Sequence, residues 1–325
     1  MNVLVTGGAG YIGAQVARAM AAAGHRCVAY DNLVTGHRQA AGTELVEADV
    51  ADGKALRQAI RKHRIEAVIH LAAFIEAAES VEQPDKYFQN NTLISLTLLE
   101  AMREMGVGRM VFSSTAAVYG QPQRLPIEET APLAPVNPYG ASKVCVEYML
   151  EAYAAAHGMG SVSLRYFNVA GADPAGDIGE AHRPETHLIP RVLAVPLGKA
   201  RAVQVFGDDY DTPDGTCIRD YIHVADVAAA HVQALEAVQA GAAKAYNLGN
   251  GEGFSVKQVI ETCRRVTGRP IPTEAAPRRP GDPPRLVASS AKAAAELGWR
   301  PRFADLPTLV AHAWAWHRSH PNGYA

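Results

Sequence analysis

The sequence predicts an α/β fold, a doubly wound parallel sheet with a smaller, loop-rich C-terminal part. Three observations predict it. Short β-branched runs alternate with helical patterns through the first half, the signature of βαβ units. A glycine-rich turn stands between the first of these runs and the first helical pattern. The alternation then stops near residue 170, where Gly, Pro and Asp begin to cluster.

Taken in order, strands are expected at "NVLVTG", "CVAYD", "TELVEAD", "AVIHLAA", "RMVFSST" and "VSLRYFN". Between them lie "YIGAQVARAMAAAGH", "GKALRQAIRKHR", "DKYFQNNTLISLTLLEAMREMG" and "YGASKVCVEYMLEAYAAAHG", whose apolar residues recur at three and four and whose ends carry Gly. In the second half, "AGADPAGDIGE", "FGDDYDTPDGT" and "APRRPGDPPR" read as loops, with helices at about 188–197, 224–240, 256–267 and 307–317. The expected division is 1–170 for a dinucleotide-binding unit and 171–325 for a substrate unit, with some later segments returning to the first. Residues 120–138, "GQPQRLPIEETAPLAPVNP", hold five prolines without periodicity, and a connection that long is usually functional.

Bulk properties exclude several classes. A chain of 325 residues buries a core without staples. Its four cysteines (Cys27, Cys145, Cys217, Cys263) have neither CxxC nor Cys/His spacing, so reduced thiols in the cytoplasm are expected and no metal site is. The net charge of −2 comes without a long basic run, which argues against nucleic acid or an anionic membrane as partner. No apolar run reaches the ~18–20 residues of a membrane span.

"VLVTGGAGYIG" places Gly7, Gly10 and Gly13 between strand and helix, where the chain must turn tightly, approach a pyrophosphate and present helix N–H groups to it. Asp31 ends the second strand 18 residues after Gly13, placed for the two hydroxyls of a ribose. An aspartate there repels the extra phosphate of NADP, so NAD is favoured, although His37 and Arg38 follow closely. Asp49 either sits beside the adenine or is an ordinary strand-end turn residue. Ala72 and Ala73 let a flat cofactor lie close to the backbone, or relieve crowding. Ser113, Ser114 and Thr115 end the fifth strand, where a hydroxyl relays a proton or caps a turn. In "NPYGASK", Asn137 is a plausible N-cap, Pro138 the first helical residue, and Tyr139 and Lys143 share one helix face. A tyrosine titrates near 10 and needs stabilisation of its phenolate to act as a base at pH 7. A lysine and an oxidised nicotinamide ring would supply two positive charges, and a fall of ~3 units is ~4 kcal/mol.

Together these residues resemble the extended short-chain dehydrogenase/reductase family and, within it, the UDP-galactose (UDP-glucose) 4-epimerases over essentially the whole length. The resemblance rests on "VTGGAGYIG", "YDNL", "ESV", "NNT", "VFSS", "AVYG", "PYGASK", "RYFNVAGA", "THLIP", "VFGDDY", "DGTCIRDYIHV", "YNLGNG" and "RRPGDP". It implies a Rossmann-like fold, resident NAD, a UDP-sugar substrate and a homodimer built on the helices at 85–105 and 139–157. Tyr139 would be the base at the sugar 4-hydroxyl, Lys143 would tune it and hold the nicotinamide ribose, and Thr115 would relay the proton. Cofactor contacts would come from Tyr11, Ile12, Asp31, Asn32, Leu33, Val34, Thr35, Gly36, Asp49 and Val50. Leu71, Ala72, Ala73, Phe74, Ile75, Asn90, Ser113 and Phe167 would complete them. The UDP-sugar would meet Asn168, His187, Leu188, Gln204, Val205, Phe206, Arg219, Arg279 and Asp282. The arginines suit bidentate contact with two phosphates.

The implied reaction inverts C4 through a transient 4-keto sugar, without net oxidation. Three positions depart from the family pattern or leave it open. Ile75 stands where some members carry Lys, and His187 where Asn is common. Leu286, or Arg285 if the alignment slips by one, should limit space around the sugar. That leaves UDP-hexoses, their N-acetyl forms and UDP-pentoses all open. A 4,6-dehydratase would need Asp-Glu after the threonine, where this chain has Ala116 and Ala117. A net dehydrogenase would release NADH, and a non-catalytic NAD sensor would not need the Tyr, Lys and hydroxyl set.

Overall fold

In the computed structural model residues 1–279 and 282–324 are described; Pro280 and Gly281 of the "RRPGDP" match lie outside them. The strands of the first half are β1 (Asn2–Thr6), β2 (Arg26–Asp31), β3 (Glu44–Glu47), β4 (Ala67–His70), β5 (Arg109–Thr115) and β6 (Gly160–Tyr166). There follow β7 (Asn168–Ala170), β8 (Val203–Phe206), β9 (Ile218–Arg219), β10 (Tyr221–His223) and β11 (Ala243–Leu248). The last are β12 (Phe254–Ser255), β13 (Thr273–Ala276) and β14 (Arg285–Leu286). Helices are α1 (Tyr11–Ala22), α2 (Gly53–His63), α3 (Ala77–Glu82), α4 (Pro84–Tyr87), α5 (Ile94–Glu104) and α6 (Pro138–His157). Then come α7 (Leu188–Ala194), α8 (Val224–Glu236), α9 (Val256–Thr267), α10 (Ala291–Glu296) and α11 (Leu306–Ser319).

Seven parallel strands form one sheet in the order β11-β6-β5-β4-β1-β2-β3. The chain starts at the centre and winds outward in both directions, so the order reverses at β1 and opens a crevice beyond the strands' C-terminal ends. Strand alternation builds two cores. Val3, Val5, Ala67, Ile69 and Val111 face α1 and α8, packing on Val16, Met20, Val227 and Leu235. Leu4, Val28, Val68, Met110 and Phe112 face the other way, onto Leu56, Ile60, Leu98, Met102, Val146 and Leu150 of α2, α5 and α6. Burial on both faces is what a parallel sheet requires. A third core joins α7, α9 and α11 through Ile189, Val192, Leu193, Val259, Ile260, Cys263, Leu309 and Val310.

Helix ends follow their local chemistry. Asp52 caps α2 by accepting from Lys54 N and Ala55 N. Asn137 caps α6 through Gly140 N at 2.8 Å with Pro138 next, and Gly158 closes it at φ 68°. Ser255 and Gln258 form a reciprocal capping box on α9.

Two expectations change. β11 was not foreseen: "AKAYNL" carries Lys244 and Asn247, and its first three residues are only half-buried, so it lacks the apolar run of the inner strands. The single helix expected over 85–106 is α4, a π-helical turn over Phe88–Leu93 and α5. There Asn91 Nδ2 donates to Phe74 O and Ser142 Oγ, and Thr92 Oγ1 donates to Ser142 O, which widens the helix locally. Among the described residues no helix is long and apolar enough to cross a membrane.

The glycine turn is enforced sterically. Gly7 has φ 72° and a Cβ there would sit 2.8 Å from Ala72 N; a Cβ on Gly13 would lie 2.0 Å from Gly7 O. Gly13→Ala should therefore destabilise the chain by about 1–3 kcal/mol, an overpacking cost, seen as a lowered thermal unfolding midpoint.

Candidate functional site

The crevice begins at the turn between β1 and α1. Gly7 N donates to Tyr30 O and Gly10 N to Gly7 O, which folds the turn back on itself. Gly10 precedes α1, no side chain caps this end and no acidic residue lies in the first turn. The N–H groups of Tyr11, Ile12 and Gly13 have no carbonyl partner within the helix and face the region where α1 begins, an anion site by construction. Tyr11 is buried and its hydroxyl donates to Gly171 O at 2.8 Å, tying the turn to the chain beyond β7.

Asp31, at the end of β2, is nearly buried. Its Oδ2 accepts from Ala9 N at 3.0 Å and its Oδ1 from Leu33 N at 2.8 Å. A carboxylate oxygen has about two acceptor positions, so each retains one for a hydroxyl. Asn32, Leu33, Val34, Thr35 and Gly36 wrap around this carboxylate; Leu33 has φ 60°, and a Cβ on Gly36 would lie 2.8 Å from Asp31 Oδ1. Asp49 behaves as a strand-end turn residue: Oδ1 accepts from Ala51 N and Oδ2 from Asn32 Nδ2. Val50 is buried in the second core.

Beyond β4, Leu71 and Ala72 pass under the glycine turn, with Ala72 N at the place a Gly7 side chain would occupy. Ala73 follows, and Phe74 N donates to Asn91 Oδ1 at 2.9 Å, which fixes the loop to the π-helical turn. Asn90 Nδ2 donates to the same oxygen. Ile75 is 40% exposed, and the cation of this stretch is Lys86 instead, 4.6 Å from the Phe74 ring centroid.

The acid-base group sits at the end of β5 and the start of α6. Lys143 is buried and its Nζ donates to Ser113 O at 2.9 Å. Thr115 Oγ1 accepts from Ala117 N at 3.1 Å, which leaves its own O–H uncommitted near Tyr139. Capping and proton relay are thus compatible roles for Thr115. Burial raises the Tyr139 pKa, the Thr115 hydrogen bond opposes the rise and Glu76 adds to it. Burial pushes Lys143 down to about 7, partly opposed by Glu147. Both shifts favour the uncharged forms of the pair. Ser113 Oγ pairs with Tyr166 Oη. At the end of β4, burial and then Lys143 push the His70 pKa down to about 3, which keeps the ring neutral. It accepts from Thr6 Oγ1 on Nδ1 and donates from Nε2 to Ser95 Oγ, since Ser95 itself donates to Asn91 O.

A residue set absent from the sequence reading supports this group. Glu147, one turn after Lys143, is buried with Arg165 of β6: Arg165 Nε lies 3.0 and 3.2 Å from the two carboxylate oxygens, and Ser114 Oγ donates to the same carboxylate. Arg165 also donates to Tyr119 Oη at 2.8 Å, and Tyr119 donates to Asn247 Oδ1 at 2.7 Å. The i, i+4, i+8 spacing of Tyr139, Lys143 and Glu147 could have flagged Glu147; the arginine partner, 18 residues on, had no local signal.

On the C-terminal side, Arg219 pairs with Asp282, whose N–H donates to Arg279 O at 3.3 Å. Arg279 lies over the Phe206 ring at 4.3 Å. Leu286 pairs in register with Arg219 and packs with Phe167 on a cluster containing Val118, Tyr119 and Val144, which brings it beside α6. Asn168 Nδ2 donates to Asp220 O. Asp220, also unforeseen, accepts from Asn250 N, Gly251 N and Ala288 N and gathers three chain segments there. Val205 is buried in the third core, so only its backbone is available, while Gln204 is exposed on β8. His187 and Leu188 start α7, with His187 Nδ1 2.6 Å from Glu180 Oε1.

Residues 3–249 match the model of the NAD dependent epimerase/dehydratase family. A relative named UDP-glucose 4-epimerase from Halalkalibacterium halodurans is 51% identical over 100% of this chain and 98% of its own length. The structure of UDP-glucose 4-epimerase from Brucella ovis in complex with NAD superposes with a TM-score of 0.93 at 47% identity, covering 96% of this chain and 97% of that one. That from Bifidobacterium longum in complex with NAD+ and UDP gives a TM-score of 0.95 at 37% identity, covering 99% and 100%.

A lysine that titrates near 7 when folded and near 10.5 otherwise weakens the folded state fully below pH 7, and the penalty fades as pH rises toward 10.5. Lys143→Met should therefore raise the thermal midpoint most at about pH 6 and least at about pH 10, with activity lost at both.

Proposed function

The chain belongs to the NAD dependent epimerase/dehydratase family, and we propose on that premise that it is a UDP-sugar 4-epimerase, interconverting UDP-glucose and UDP-galactose with resident NAD. The observation that carries this reading is the convergence of Thr115, Tyr139 and, one turn on, the buried Lys143 held by Ser113 O, at the sheet edge that also holds the glycine turn and Asp31. Its relatives' names and the NAD and UDP bound in the solved neighbours support it.

The residues fit the cofactor. The turn leaves no room for side chains at Gly7 and Gly13, the first N–H groups of α1 suit a diphosphate, and Asp31 keeps acceptor positions for a ribose diol while repelling a 2′-phosphate. Leu71 to Ile75, Asn90 and Phe167 would hold the rest. When bound, NAD supplies the hydride acceptor and a second positive charge. Tyr139 Oη would take the proton of the sugar 4-hydroxyl and, after the keto sugar has turned its other face to the ring that holds the hydride, return it to the same C4 oxygen, with the Thr115 hydroxyl between them. Lys143, held by Ser113 O, favours the phenolate. Arg219, Arg279 and Asn168 would hold the UDP moiety while the sugar turns. Leu286 would border the sugar and set which UDP-sugars enter.

The same reading places residues 1–170 as the cofactor unit and most of 171–325 as the substrate unit, with β11 and α8 returning to the sheet and its face. It extends to a homodimer. Val81 on α3, Leu93 at the π-helical turn and Tyr148 on α6 are 63%, 56% and 56% exposed on neighbouring elements, a patch of the kind that marks a partner surface. The scattered free cysteines suit a cytoplasmic setting.

Proton NMR of UDP-glucose with the purified protein should show UDP-galactose signals growing to a stable mixture without added cofactor. Tyr139→Phe should lower kcat about 10²–10⁴-fold with the fold retained; an unchanged rate would remove Tyr139 from the mechanism. Leu93→Glu with Tyr148→Glu should shift the mass measured by light scattering from dimer to monomer.

A further inference from the structure

In the connection between β7 and α7, four side chains with ligating atoms converge: Glu180, His182, Glu185 and His187, one such atom from each lying within 4.8 Å of all the others. Glu180 Oε1 is 3.1 Å from His182 Nδ1 and 2.6 Å from His187 Nδ1. Glu185 oxygens are 3.8 Å from His182 Nδ1 and 3.3 Å from His187 Nδ1. Around an ion with bonds of ~2.0–2.1 Å in tetrahedral geometry, ligand atoms stand about 3.3 Å apart. The His182–Glu180 separation of 3.1 Å and the His187–Glu185 Oε1 separation of 3.3 Å lie near that value, while His187 Nδ1 and Glu180 Oε1 stand closer at 2.6 Å.

Part of the cluster is hydrogen-bonded, with His182 Nδ1 at 3.1 Å from Glu180 Oε1 and the His187 backbone N–H donating to Glu185 Oε1 at 2.9 Å, but one ring nitrogen is left over. His187 Nδ1 is shielded from solvent and has no partner in hydrogen-bond geometry, although Glu180 Oε1 is 2.6 Å away. Two imidazoles and two carboxylates carry a formal −2, the charge a divalent ion neutralises. Nitrogen ligands select a transition metal of the zinc class over Mg²⁺ or Ca²⁺, which take oxygen. The backbone around the cluster is anchored: Trp316 Nε1 donates to Glu180 O at 3.0 Å, and His37 Nε2 lies 2.9 Å from Ala181 O. The same loop reaches the cofactor turn, with the His182 ring edge-on to Tyr11 and Gln15 Nε2 donating to Ile178 O.

We propose that Glu180, His182, Glu185 and His187 bind one divalent transition-metal ion, which cross-links the 180–187 segment beside the cofactor turn. The test is a Co²⁺ titration of the full-length, tag-free holoprotein after EDTA treatment. The expected result is saturation at one ion per chain, with the visible absorption of tetrahedral cobalt, displacement by Zn²⁺, no response to Mg²⁺ or Ca²⁺, and a raised thermal midpoint. Binding should tighten with rising pH, because the imidazoles coordinate deprotonated. His182→Gln and Glu185→Gln alter half-exposed side chains and leave the buried Glu180 in place, so folding is retained. Each should weaken Co²⁺ binding by at least about 10–100-fold. Absence of saturable binding, an octahedral spectrum, or equal titrations in wild type and both variants would overturn the proposal.

Discussion

The ion pair between Glu147 and Arg165 is the contact on which the rest of the site depends. Both side chains are buried, so neither charge is solvated and each is tolerated only because the other is present with further hydrogen bonds. The pair joins α6 to β6, Ser114 ties it to β5, and Tyr119 and Asn247 carry it across to β11. Asn247 Nδ2 then donates to Ile127 O, while its backbone N–H donates to Glu129. The proline-rich connection of residues 120–137 is thus pinned to the sheet at two points, and the start of α6 is oriented by a network that never touches the reacting atoms.

This rigidity has an electrostatic consequence one turn away. Burial raises the Tyr139 phenol and lowers the Lys143 ammonium, driving both toward their uncharged forms. Added positive charge beside the pair would reverse the drift of Tyr139 toward its neutral form. On the proposed reading, a cationic ring brought by the cofactor would supply that charge and favour the phenolate.

The C-terminal segments are held to the sheet by a similar device with different chemistry. The buried Asp220 carboxylate accepts three backbone N–H groups, from Asn250, Gly251 and Ala288, in place of a cationic partner. It sits between Arg219, which pairs with Asp282, and Tyr221, whose strand lies against Asn168. Residues far apart along the chain are gathered there by backbone donors. Such donors carry no side-chain signature and leave no periodic mark.

What the sequence by itself determined is local. Six parallel strands, the glycine turn, Asp31, the cap at Asn137 and the spacing of Tyr139 and Lys143 follow from periodicity, sterics and capping, which act over a few residues. The seventh strand, the π-helical turn around Asn91, the Glu147–Arg165 pair and the role of Asp220 were decided by the tertiary structure. β11 is half polar and becomes a strand only because β6 offers it an edge; Asn91 widens its helix only because Phe74 and Ser142 lie within reach. The titration of Tyr139 and Lys143 belongs to the same class, since desolvation is a property of what surrounds a side chain and no spacing along the chain encodes it.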